Sequence, residues 1–187
     1  QVAPDEVTGR MRSSAKAVNF GIVYGISAFS LAQNIGVSVA EAKEYMERYF
    51  DTYRGVKRYM EQVVETAREK GYVETLMHRR RALPELKSSN FNMRSFGERL
   101  ALNMPIQGTA ADVMKLAMIR VAARLKAEGL QAQLILQVHD ELIVECPQAE
   151  EAQVKEILTQ EMEGAGSFSV PLIADANAGH SWAEAKG

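Results

Sequence analysis

The chain has one cysteine, Cys146, in 187 residues, which excludes an internal disulfide. It has no apolar run approaching the roughly 18 residues that a membrane-spanning helix needs, so no membrane is expected among its partners. No basic-then-apolar leader is present, so a secretory signal is not expected and a reducing, cytoplasmic setting is. The chain opens on Gln1 rather than methionine and is expected to be a fragment of a longer protein. Repeats, low-complexity tracts and linkers are missing as well. Net charge is −2, too small to argue for any partner by itself.

What is present is enough for a globular protein. A hydrophobic content of 47% in 187 residues can bury a core while leaving room for one or two small domains. Charge is unevenly spread: residues 1–100 carry 16 Lys and Arg against 12 Asp and Glu, and residues 101–187 carry 6 against 12. A basic half suits phosphates and an acidic half suits metal, although solvated helix faces produce such an imbalance more often.

Most of the chain reads as helix. Pro4 and Asp5 mark the start of a helix over 5–25 that Gly25 ends. At about 100° per residue, Val7, Met11, Ala15, Val18 and Ile22 fall within an arc of roughly 80°, which predicts a core face. Arg12, Lys16, Phe20 and Tyr24 form a separate stripe, two cations followed by two aromatics at strict four-residue spacing. Ser38 and Glu41 make a capping box for a helix carrying Ala42, Tyr45, Met46, Tyr49 and Phe50 on its core side. Val56, Tyr59, Met60, Val63, Val64 and Ala67 continue the helical period to Gly71, and both helices read as scaffold. Residues 72–84 (YVETLMHRRRALP) predict a short hairpin with the basic cluster His78 to Arg81 at its bend. From about Asn90 a long helical pattern runs to Pro105. It is expected to break there and resume with Thr109 and Asp112 as cap, carrying Ala110, Val113, Met114, Ala117, Met118, Val121 and Leu125 inward as far as Gly129.

Residues 130–146 (LQAQLILQVHDELIVEC) hold two β-rich runs separated by little more than His139, Asp140 and Glu141, the pattern of a hairpin with two carboxylates at its tip. Polar residues at a turn are ordinary. The competing reading is a metal site, in which hard oxygen ligands suit Mg²⁺ better than Zn²⁺ because no second histidine or thiol is near in sequence. A helix around 147–163 and a candidate strand at Val170 to Ile173 beside the hairpin complete the chain.

RMRSSAKAVNFGIVYG (residues 10–25) resembles the fingers-helix motif of family A DNA polymerases, the bacterial DNA polymerase I type, and QVHDE resembles that family's palm motif. HRRRALPEL and ERLALNMPIQGTAAD also resemble family segments, in the family's order and spacing, so the likeness runs from about Thr8 to Ala185. The fold it implies is α+β: mostly helical fingers over 1–87, with the nucleotide-binding helix at 5–25, and over 88–187 the C-terminal part of an antiparallel palm sheet whose β-hairpin carries His139, Asp140 and Glu141.

The activity implied is DNA-templated addition of deoxynucleoside triphosphates to a primer 3′-hydroxyl. By the resemblance, Arg12 and Lys16 meet the triphosphate while Phe20 and Tyr24 lie by the sugar, the base and the templating position. A triphosphate beside a base needs cations at one end of a contact line and flat apolar faces at the other. Asp140 is implied to be one of two aspartates that hold paired Mg²⁺ ions, Glu141 a supporting carboxylate and His139 a neighbour of the primer end. Lys16 is placed to neutralise the departing pyrophosphate. Arg99, Asn103 and Gln107 fall on positions that touch primer-template DNA, and the HRRR cluster fits a phosphate contact no better than a solvated turn.

Two departures stand out. Ser13 occupies a place where the family usually has a second arginine, directly after the one matching Arg12. The palm strand with the other metal-binding aspartate, expected upstream of Arg12, is not in these residues, and neither are the rest of the N-terminal palm and the thumb, which become expected partners. The fragment alone is therefore expected to be inactive. A noncatalytic helical module that binds nucleotide or DNA by charge and stacking is the alternative, and a scaffold with merely superficial charges is a third.

Overall fold

The structure is a computed structural model and describes residues 2–186. The fold is α+β, mostly helix with two separate two-stranded antiparallel sheets. Two compact units divide the chain at Gly108 and Thr109, inside its longest helix, and each unit has its own core.

In the first unit, Pro4–Glu6 forms a 3-10 turn, and helix α1 runs over Gly9–Val23. The helix starts four residues later than the Pro4 signal predicts, because Thr8 is its cap: the Thr8 hydroxyl accepts the Met11 N–H at 3.2 Å. The expected core face of α1 is correspondingly short. Ile22 is buried and Val18 packs against the cluster of Leu31, Ala32 and Ala42, whereas Val7 and Met11 are exposed. Helices α2 (Ala28–Ile35) and α3 (Val39–Thr52) cover only the last turns of α1. Helix α2 is absent from the sequence reading, although Ser27 caps it through the Ser30 N–H and Gly36 ends it at φ 71°. The Ser38–Glu41 capping box forms as expected. Tyr45 points outward and is not core.

Helix α4 (Arg54–Lys70) ends at Gly71, whose φ of 77° needs a residue free to enter the left-handed region. Strands β1 (Tyr72–Glu74) and β2 (Arg80–Ala82) then pair with Val73 opposite Arg81. Ala67, Val73, Leu83, Leu86 and Ala101 form the core beneath this hairpin.

Helix α5 is continuous over Phe91–Ala127, and Pro105 lies inside it. The predicted break is therefore wrong. Pro105 withholds a helical N–H at a typical cost of about 3 kcal/mol, yet the turn before it holds Ala101 and Leu102, both buried, and their packing keeps the helix intact. Thr109 and Asp112 are consequently buried helix-interior residues and not a cap.

In the second unit, α5 contributes the buried Ala117, Val121 and Leu125, while Ala110 is exposed. Strands β3 (Gln133–Val138) and β4 (Glu141–Glu145) form the predicted hairpin, and helix α6 (Glu151–Glu163) packs Val154 and Ile157 onto Val121, Leu125 and Ala132. Val170 to Ile173 is not a strand, which corrects the expectation. Val170 and Ile173 are exposed, and Pro171 between them has no N–H for a ladder. A short helix α7 (Trp182–Lys186) follows.

Candidate active site

Helix α1 sets the first group of side chains. One turn of helix separates each member of the stripe from the next, and contacts follow the same order. Lys16 Nζ lies 5.9 Å from the centroid of the Phe20 ring. The Phe20 and Tyr24 rings are 6.3 Å apart and within 18° of parallel. Phe20 is 51% exposed and Tyr24 38% exposed, so both present a face to solvent rather than to the core. Arg12 extends the line by one further turn and is exposed.

The stripe stops where the backbone turns. Gly25 adopts φ 75°, and the Ile26 N–H donates to the Gly21 carbonyl at 2.8 Å. A β-carbon on Gly25 would come within 3.1 Å of Leu102 Cδ1 and 3.5 Å of Arg99 Cγ. The end of α1 is thus pressed against the part of α5 that carries Arg99, and only glycine satisfies both the backbone angle and the close approach. Because α5 does not break at Pro105, Arg99, Asn103 and Gln107 lie on one uninterrupted helix at four-residue spacing. The Arg99 guanidinium stands 5.9 Å from the Phe96 ring, and Gln107 is exposed. Asn103 Oδ1 is buried without a hydrogen-bond partner among the described residues, an arrangement that costs free energy unless some donor reaches it.

One carboxylate, Glu74, faces the basic cluster. Arg80 Nε donates to Glu74 Oε2 at 3.1 Å and its guanidinium lies 4.7 Å from the Tyr72 ring. The bond from Arg80, with Arg80, His78 and Lys70 as nearby positive charge, holds the Glu74 carboxyl below the usual carboxylate range.

The second unit carries the hairpin tip. His139 and Asp140 form a two-residue turn between Val138 and Glu141, which face each other across the strands. His139 takes φ 52°, and the Gln137 side-chain amide donates to its carbonyl at 2.6 Å. Asp140 is exposed at the turn, and no hydrogen bond or ion pair among the described residues engages it. Glu141 is different: it begins β4, is partly buried, and accepts from Lys186 Nζ at 2.8 Å and Trp182 Nε1 at 3.3 Å. The Lys186 bond is the main cause that keeps the Glu141 carboxyl below the usual carboxylate range. Sequence reading missed both partners, and the pairing of the chain's single tryptophan with a lysine four residues on was the available signal.

The tip offers hard, anionic oxygen with solvent access, the donor chemistry a divalent cation prefers. Among the described residues, no three His, Cys, Asp or Glu side chains converge as a metal set, so the tip by itself does not form a closed cage.

A family model described as DNA polymerase family A matches residues 1–184. The chain is similar to DNA polymerase I of Bacillus caldotenax, with 58% identity over 186 residues that are 100% of this chain and 21% of that protein. It is similar to DNA polymerase I of Bacillus subtilis (strain 168), with 56% identity over 185 residues, 99% of this chain and 21% of that protein. Among solved structures, it is similar to the POL domain of Pol1 from M. smegmatis in complex with DNA primer-template and dNTP: the TM-score is 0.95 and the identity 45%, over 100% of this chain and 33% of that one. The chain spans about a fifth of the length of the curated relatives it matches.

Proposed function

The chain belongs to DNA polymerase family A, and from that premise we propose that it forms the nucleotide-binding fingers (1–87) and the C-terminal part of the palm (88–187) of a cytoplasmic DNA-templated DNA polymerase. The observation that carries this reading is the stripe on α1, where a lysine ammonium, two near-parallel exposed rings and a further arginine stand in one line. Arg12 and Lys16 bind the phosphates of an incoming deoxynucleoside triphosphate by charge-assisted hydrogen bonds. Phe20 and Tyr24 offer flat faces to its sugar and base, and to the templating position. Lys16, one turn from Phe20, neutralises the departing pyrophosphate and is placed to donate a proton to it.

Arg99, Asn103 and Gln107 address primer-template DNA from α5. Asn103 lends support, since a ligand donor would satisfy its buried oxygen. His139 approaches the primer end. Asp140 binds the divalent cations, with Glu141 as the supporting carboxylate. Two Mg²⁺ ions are the cofactor proposed, and when bound they supply stabilisation of charge on the attacking and leaving oxygens. The opposing carboxylate, the rest of the palm and the thumb are proposed to come from polymerase residues outside this chain. Among the described residues, no helix is long and apolar enough to cross a membrane.

Calorimetric binding of a deoxynucleoside triphosphate tests the reading. Replacing Lys16 with Ala is expected to weaken binding about tenfold, the scale of one charge-assisted hydrogen bond. In a complete family A polymerase carrying these residues, it is expected to slow templated extension at least about 10²-fold, because general-acid and charge-stabilising roles act on the chemical step. Unchanged binding and extension in that variant would remove α1 from the nucleotide site.

A further inference from the structure

Trp182 and Lys186 stand one turn apart on α7 and share a face. Both reach the same carboxylate, Trp182 Nε1 donating to Glu141 Oε2 at 3.3 Å and Lys186 Nζ to Glu141 Oε1 at 2.8 Å. Each oxygen has its own donor, so the carboxylate is held by two directions instead of one and cannot rotate without losing a bond. The ammonium also lies 5.7 Å from the indole centroid, which braces the two donors against each other.

A five-residue helix has no stability of its own in water, and local contacts build this one. Ser181 Oγ accepts the Glu184 N–H at 3.3 Å, and the Glu184 carboxylate accepts the His180 N–H at 2.9 Å. Gly179 lets the preceding chain lie against the helix, since a β-carbon there would come within 2.7 Å of Glu184 Cβ and 2.8 Å of the Ala185 nitrogen. The segment is therefore shaped to deliver Trp182 and Lys186 to the first residue of β4.

The consequence concerns charge and freedom at the tip. Asp140 and Glu141 are adjacent acids, and left alone both would be mobile and anionic. With Lys186 on Glu141, one of the two negative charges is compensated and Asp140 stays as the unengaged carboxylate of the pair. We propose that Trp182 and Lys186 are positioning residues: α7 is a strap that fixes Glu141, and with it the adjoining His139–Asp140 turn, so that Asp140 alone faces the cation. This rests on reading the tip as the metal-binding side of a polymerase site.

The test uses a complete family A polymerase carrying these residues, labelled with 5-fluorotryptophan, with the Trp182 resonance assigned by its loss in Trp182→Phe. In metal-free protein, Lys186→Ala and Glu141→Ala should each shift that ¹⁹F resonance. Lys186→Ala should lower kcat about tenfold. It should also lower the half-saturating Mg²⁺ concentration about twofold to fivefold, because removing an exposed ammonium leaves the tip more negative while freeing Glu141 to move. Lys186→Arg should restore both. A purely structural weakening would raise the Mg²⁺ requirement or leave it alone. An unmoved resonance in Glu141→Ala would show that the contact does not form, overturning the inference. A shifted resonance with kcat and Mg²⁺ dependence within twofold of the parent would overturn the positioning role. If Asp140→Ala keeps normal turnover while the resonance still reports the contact, the reading of the tip fails and the strap's catalytic role falls with it.

Discussion

The Phe20 and Tyr24 rings lie one helical turn apart, 6.3 Å between centroids and 18° from parallel. Neither is packed into the core, and the Lys16 ammonium sits beyond Phe20 on the same line. In a scaffold helix such rings would turn inward to bury their apolar area. Here the inward side of α1 belongs to Val18 and Ile22, and the aromatic line stays exposed, as the proposed nucleotide contact requires.

Phe20 has no hydroxyl, so under the proposed function it cannot replace the 3′-hydroxyl that a dideoxynucleotide lacks. A complete polymerase carrying these residues should discriminate strongly against chain terminators. Phe20→Tyr should reduce the discrimination about tenfold, on the scale of one hydrogen bond made in the site. Competing dideoxy and deoxy nucleotides in a primer-extension assay measures this, and equal use by the unmodified protein would contradict the placement of Phe20 by the sugar.

Gly108 and Gly55 are both helical, yet alanine should act oppositely at the two. A β-carbon on Gly108 would meet Thr75 Cγ2 at 2.7 Å. Thr75 is buried, and its hydroxyl accepts the N–H groups of Met77 and Arg79, so it cannot swing aside without releasing the β1–β2 turn. Gly108→Ala should cost about 1–3 kcal/mol by overpacking. Gly55 has open space around it, and Gly55→Ala should gain about 0.5–1 kcal/mol from reduced backbone entropy. Urea unfolding of the two variants measures both signs.

Cys146 packs against the core around Val121 and Ile157. Burial pushes its thiol above the ordinary cysteine range, and the negative charges of Glu150 and Glu151 add to that. Both effects favour the neutral thiol, so the reactive thiolate appears only at higher pH than for an exposed cysteine. Alkylation by iodoacetamide, followed by mass at pH 7 to 10, should be slower than for a cysteine peptide throughout. It should gain rate about tenfold per pH unit to a higher pH than the peptide does. A rate equal to the peptide's at pH 8 would contradict the shift.

Features governed by local spacing were legible in the sequence. The stripe, the Ser38–Glu41 box, the Gly71 stop and the 133–145 hairpin each depend on residues within a few positions of one another. What could not be read was settled by distant packing. Pro105 carries a local break signal, and the burial of Ala101 and Leu102 overrides it. Val7 and Met11 have the right phase for a core but stay exposed among the described residues, because α2 and α3 cover only the last turns of α1. Val170 to Ile173 has strand-like composition, yet it stays exposed and unpaired in the described sheets. At the site, Asp140 and Glu141 look equivalent as adjacent letters. Their difference, one unengaged and one held by Trp182 and Lys186, joins residues more than 40 positions apart.

The proposed cation-binding role of the hairpin tip stands on Asp140. The measurement is single-turnover primer extension by a complete family A polymerase carrying these residues, with Asp140→Ala compared against its parent at saturating DNA, nucleotide and Mg²⁺. The chemical rate should fall by at least about 10³-fold while the Kd for primer-template DNA changes less than about threefold, because the lost interaction strengthens chiefly at the reacting phosphate. A rate within tenfold of the parent, with DNA binding intact, would show that the hairpin tip does not hold the catalytic cations.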